Sequence, residues 1–165
     1  MTLKGRSGVT VIGHDSESRT RVKGYNPAGS YKRKITYEIP MESIVAIAKQ
    51  SKRCEQYIKY ECHHSVFRFS SKGLYYGWWV SRQGSKMNYR GGAAVDSGKC
   101  ACGMINSCAG GKKCNCDMND KTWREDSGYL TDKTALPVIE LRFGDTSNGT
   151  SEEGYHTLRK LRCWG

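Results

Sequence analysis

The sequence predicts an α+β domain, mostly antiparallel sheet with one main helix at about 41–53 and long disulfide-stapled loops. Three observations predict it. Several short stretches alternate apolar and polar residues, as half-buried strands do. A single stretch carries apolar residues at helical spacing. Eight cysteines, five of them within residues 100–116, mark irregular segments that need covalent support. The 165 residues suit one domain, and no internal repeat or linker divides 1–165.

Taken in order, VTVIG (9–13) and ITYEI (35–39) read as short strands around a loop with Asn26-Pro27. The helix starts at Pro40, since proline suits a first turn, and Ile44, Ile47, Ala48 and Ser51 share one face. Glu42 near its start and Lys49, Lys52 and Arg53 near its end complement the helix dipole. In QYIKYEC the period changes to two, with Tyr57, Lys59 and Glu61 on one face and Ile58, Tyr60 and Cys62 on the other. VFRF (66–69) continues the β-rich part. GLYYGWWVS (73–81) places Tyr76, Trp78 and Val80 opposite Tyr75 and Trp79, as a strand covered on both sides would. Residues 96–134 read as one long loop rich in Gly, Cys, Lys and Asn. LPVIELRF (136–143) is a strand with Ile139, Leu141 and Phe143 on one face, and YHTLRKLRCW (155–164) closes the chain.

The cysteines set the compartment. In CACGMINSCAGGKKCNC two C-x-C pairs bracket Cys108, and Cys54, Cys62 and Cys163 complete an even set. A structural zinc favours C-x2-C knuckles and a redox site favours C-x-x-C, neither of which is present, although four thiolates of this run on one zinc is an alternative. The even count spread along the chain reads as a disulfide framework through Cys54, Cys62, Cys100, Cys102, Cys108, Cys114, Cys116 and Cys163. Pairing is not readable from sequence. Asn148, in the sequon Asn148-Gly149-Thr150 of a polar stretch, is a glycosylation candidate. Both features point to an extracellular setting, either secreted or in the ectodomain of a membrane protein. No apolar run is long enough to cross a bilayer.

Lys and Arg outnumber Asp and Glu by 27 to 16, a net charge of +11, which favours an acidic partner or serves solubility. Three basic groups stand out: Arg19, Arg21 and Lys23; Lys32, Arg33 and Lys34; Lys112 and Lys113. They are candidates for binding polyanions such as glycosaminoglycan or acidic matrix, or else a solvated face. Nucleic acid is disfavoured, for helix-turn-helix, C2H2 and RNP patterns are missing. No nucleophile or zincin motif surrounds the histidines, so the chain reads as non-enzymatic with no certain cofactor. His63 and His64, adjacent on an extended chain, face opposite ways and would not chelate together.

VTVIGHDSESRTRV, RCEQYIKYECHHS, GWWVSR, the CACG…C…CNCD…W run, DSGYLTDKTALPVIELRFGD and EGYHTLRKLRC together resemble the fibrinogen C-terminal-like domain of contactin-associated proteins of the neurexin IV type. IKYECHHS, LPVIEL and a near-terminal cysteine are more distantly similar to the fibrillar collagen C-propeptide. The resemblance implies an extracellular adhesion and recognition module that binds a protein or an acidic glycan. It also implies an N-terminally truncated fragment of a longer extracellular protein, since the family's usual lead-in precedes Met1-Thr2-Leu3. A collagen-propeptide-like oligomerisation module and a calcium-dependent fibrinogen-like lectin are the alternatives. For the lectin, Tyr75, Tyr76, Trp78 and Trp79 would floor a ligand pocket, while core packing is their other reading. Fibrinogen-like domains often hold calcium in an Asp/Asn-rich loop, which here would be Asp117, Asn119, Asp120 and Asp126. Asx turns and capping are the alternative for those residues.

Overall fold

The computed structural model describes residues 2–3, 8–69, 73–94 and 97–165, the first pair by backbone alone. In chain order the elements are β1 (Thr2–Leu3), β2 (Val9–Ile12), β3 (Thr20–Val22), β4 (Tyr31–Lys34), α1 (Met41–Gln50), β5 (Arg53–His63), β6 (Arg68–Phe69) and β7 (Leu74–Tyr75). They continue with β8 (Trp78–Val80), β9 (Lys86–Met87), β10 (Arg124–Leu130), β11 (Glu140–Phe143) and β12 (Glu153–Trp164). A six-stranded antiparallel sheet runs β1-β2-β12-β5-β10, with β3 also paired to β12. A four-stranded sheet runs β4-β11-β8-β9, and β6 and β7 form a hairpin.

β5 anchors the large sheet because its alternation is complete: Cys54, Gln56, Ile58, Tyr60 and Cys62 are all buried, and the residues between them are not. Its buried side faces the small sheet. Tyr60 stacks on Phe143 of β11 with centroids 4.3 Å apart, and Phe143 in turn stacks on His156 of β12 at 5.9 Å. This aromatic column joins the layers, and each large apolar side chain buried in it contributes roughly 1.5–3 kcal/mol relative to exposure. Gly154 makes room for it, since a Cβ there would run into Tyr60 Oη. α1 adds Ile44 and Ala48 to the same core.

The architecture is α+β, mostly antiparallel, with a single α-helix among the described residues. Several expected boundaries move. The strand before the helix is Tyr31–Lys34 rather than 35–39. Ile35 still bonds Ile139 O, but at Tyr37 the chain leaves to bridge His14 before turning into α1. The helix ends at Gln50, not 53, because Lys52 N–H is drawn to Trp164 O and Arg53 joins β5. Residues 73–81 split into β7 and β8 around Gly77. Of 136–143 only Glu140–Phe143 is strand, with Leu136–Pro137 a cis bond and Val138 N–H held by the buried Gln56 side chain. The long loop, whose expected start at 96 lies outside the described residues, contains the full strand β10.

Candidate recognition face

The cysteine run folds as a loop of short 3-10 segments, Ala101–Ile105, Ala109–Gly111 and Cys116–Met118. Cys102–Cys108 and Cys100–Cys114 close it internally, and Cys62–Cys116 ties it to the end of β5. Cys54–Cys163 joins β5 to β12 at directly opposed positions. All eight cysteines are paired, and a chain so oxidised is extracellular.

Asp117, Asn119, Asp120 and Asp126 do not converge on one site. Asp117 Oδ1 accepts the Phe67 and Arg68 amides, both at 3.0 Å, while burial pushes its carboxyl up to about 6. Asp126 accepts the Asn115 amide at 2.9 Å and the Cys116 amide at 2.8 Å, and burial raises it too. Asp120 pairs with Arg124 at 2.7 Å, which holds it below the usual carboxylate range. Asn119 turns the backbone at φ 54. Among the described residues, one trio of His, Cys, Asp or Glu lies close enough to share an ion: Cys100, Cys114 and Asp126. Two of those three are spent in a disulfide. In this structure the carboxylates of the expected calcium set are turned instead to backbone amides and an arginine, contacts that fasten the loop to the sheets.

Nor do Tyr75, Tyr76, Trp78 and Trp79 line a common pocket. Trp79 is fully buried and donates Nε1–H to Tyr89 O at 2.8 Å. Trp78 is half-buried under Lys86 Nζ, 3.8 Å from its centroid. Tyr76 sets its edge on Phe69 at 5.0 Å. Beside Tyr75 lies a cavity of about 10 Å3, room for roughly one water. Arg90 lines it, fully buried over Phe67 at 4.2 Å, with Nη1 and Nη2 unpartnered among the described residues. Asn88 Oδ1 is unpartnered there as well, and burial brings Arg90 down to about 10.

The basic groups are dispersed. Arg19 pairs with Glu61 and Arg21 with Glu153, each at 2.7 Å, and Lys23 Nζ donates to Thr150 O and Glu152 O. Arg33 donates to Ser16 Oγ, while Lys32 and Lys34 are exposed on the edge strand β4. Lys113 is exposed and Lys112 half-buried in the cysteine loop. Asn148 is exposed in the turn between β11 and β12.

What is concentrated is the outer side of the large sheet, where Glu125, Tyr129, Arg159 and Arg162 are exposed. Tyr57 and Tyr129, opposed across β5 and β10, meet edge to face at 5.3 Å. Trp123, 49% exposed, lies by His63 and Tyr155, and Arg19 stacks on Tyr155 at 3.6 Å. Two hollows open here: one of about 530 Å3 around Glu55, Tyr57, Tyr129, Arg159 and Arg162, and one of about 370 Å3 around Arg19, Glu61 and Trp123. A β-bulge shapes the first. Ile58 opposes Leu158 and Gln56 opposes Leu161, so Arg159 and Lys160 together face the single residue Tyr57. The bulge is locked from beneath, where Gln56 Nε2 donates to Arg159 O at 3.1 Å, and from the side by His14 Nε2 at 3.0 Å. Alternation in QYIKYEC already put Tyr57, Lys59 and Glu61 on one face. Trp123 and Tyr129 lie in a segment whose sequence reads as loop, so no periodicity assigns them to that face.

No protein-family model matches the chain. It is 37% identical to Neurexin-4 of Drosophila melanogaster over 163 residues, 95% of this chain and 13% of that protein. It is also 37% identical to human Contactin-associated protein 1 over 158 residues, 94% of this chain and 11% of that protein. The rat protein of that name is 36% identical over the same length. The chain thus spans little more than a tenth of these relatives.

Proposed function

We propose that this chain, a segment of the Neurexin-4 and contactin-associated protein type, is a non-enzymatic recognition domain that engages a protein partner through the open face of its six-stranded sheet. The observation that carries this reading is the composition of that face. Tyr57, Trp123, Tyr129, Tyr155 and several arginines stand together outside the core, the residue types that dominate the energy of protein interfaces. The other aromatic group and the acidic loop residues serve packing and amide binding. Antiparallel sheets, a single α-helix among the described residues and a disulfide-stapled loop are compatible with a fibrinogen C-terminal-like domain, and we assign the fold to that class. An N-glycan on the exposed Asn148 fits the same extracellular role.

The name of the contactin-associated relatives supplies the first partner to test, a contactin ectodomain. Surface plasmon resonance would compare the unmodified domain with Trp123→Ala and Tyr129→Ala. Interface hot spots cost about 2 kcal/mol or more, roughly a thirtyfold loss, in at least one variant. If a measurable interaction survives both substitutions unchanged, the partner binds elsewhere and the reading is wrong.

A further inference from the structure

We propose that the bulge groove on this face takes a carboxylated pyranose, a sialic or uronic acid residue carried by the partner. The inference rests on the recognition-face reading above and names the chemistry of one spot within it. Three observations meet there.

The first is placement of charge. In a regular strand one of two consecutive residues points inward; the bulge turns both Arg159 and Lys160 out, and Arg162 follows on the same face. Lys160 lines the groove as well, so Arg159, Lys160 and Arg162 are the cations it offers a carboxylate. Neither arginine forms an ion pair among the described residues, although Arg162 sits opposite Glu55 in the ladder. Planar guanidinium groups bind carboxylates bidentately.

The second is the apolar floor. Tyr57 and Tyr129 present joined rings, with the Arg159 guanidinium 4.7 Å from the Tyr57 centroid. Such a floor suits the C–H side of a sugar ring. The third is the pair of carboxylates at the rim. Glu55 has no hydrogen bond or ion pair among the described residues, and Glu17 uses one oxygen on the His14 amide at 2.8 Å. These acceptors fit the hydroxyls of a sugar. They would repel an acidic peptide or a polysulfate, which brings several anions at once. At about 530 Å3 the groove is of small-ligand size.

The test is NMR titration of the 15N-labelled domain with N-acetylneuraminic acid and glucuronic acid, against galactose and N-acetylglutamate. A single sugar residue on so open a site is expected to bind with a Kd on the order of 1 mM. Shifts should fall on β5, β10 and β12 around Tyr57, Tyr129 and Arg159 with the acidic sugars only. Arg159→Gln combined with Arg162→Gln, both at exposed positions, should weaken them at least about tenfold. Equal binding of N-acetylglutamate would make this a plain carboxylate site and overturn the assignment. An absence of shifts with either acidic sugar would overturn it too, and a contactin interaction still sensitive to Trp123→Ala would then leave the recognition face standing. Acidic-sugar shifts together with a contactin interaction that Trp123→Ala and Tyr129→Ala leave unchanged would support the groove assignment while refuting the protein-partner reading.

Discussion

Asp126→Asn tests whether one buried carboxylate holds the cysteine loop on the sheet. Asp126 is inward on β10 and 4% exposed, with one oxygen on the Asn115 amide and the other on the Cys116 amide. An asparagine fills the same volume but offers a single acceptor, so its NH2 group confronts one of these N–H donors. A lost charge-assisted bond is worth about 1.5–3 kcal/mol, and an unsatisfied buried donor costs about 1–3 kcal/mol. The buried Arg90, whose charge Asp126 favours, also loses its support. Together these span about 2.5–6 kcal/mol and bracket the roughly 3–5 kcal/mol typical of breaking a buried charge network, which we take as the expected cost. For a domain this long, 1 kcal/mol moves Tm by roughly 2–4 °C, so the variant should melt about 6–20 °C lower under non-reducing conditions near neutral pH. Amide exchange at Asn115 and Cys116 should accelerate in parallel. Glu125→Gln is the control: Glu125 is largely exposed and pairs with Lys59 at 3.1 Å, an interaction worth at most about 1 kcal/mol. If Asp126→Asn melts within about 2 °C of the parent, the carboxylate is not what fastens the loop, and the account given for it is wrong.

Four more outcomes are expected. Gly154→Ala drives a methyl into Tyr60 Oη and should lower stability by about 1–3 kcal/mol, read from the denaturant midpoint. His156, buried against Phe143 and bonded to Tyr31 Oη at 2.7 Å, is brought down to about 4 by burial, then by Arg33. Its NMR signals should therefore stay those of a neutral ring until pH approaches that value; since the unfolded chain protonates near 6.5, about 3 kcal/mol of stability present above that pH is lost as pH falls toward 4. Asp117, raised to about 6, acts with opposite sign, its contribution fading as pH rises from about 3.8 to 6. Finally, the four disulfides remove two hydrogens each, so the intact mass should rise by eight hydrogens on reduction.

How far the sequence speaks depends on which residues fill inward positions. β5 is legible because its inner face holds Ile58, Tyr60 and cysteines, and α1 because Ile44 and Ala48 recur at helical spacing. β10 is opaque: Asp126 and Gly128 sit where apolar residues normally announce a strand, and loop amides make the inward carboxylate tolerable. The acidic residues are visible as a group, yet their role depends on amides brought from as far as Phe67. The bulge in β12 is equally hidden, because Arg159-Lys160 spoils an alternation whose repair lies in a buried glutamine on another strand.

The Cys54–Cys163 bridge has a mechanical consequence. A tensile load applied to the two ends would travel through residues 1–53, cross the sulfurs and leave by the last two residues. Everything between the two cysteines lies in a covalent bypass that carries no tension, and the other three disulfides lie inside it. β5, β10 and nearly all of β12 would keep their shape under strain, while β1 to β4 and α1 could be drawn out first. Stretching would then strip Arg19 and Arg21 from the sheet but leave the bulge and its tyrosines in register, until a reductant opened the bridge.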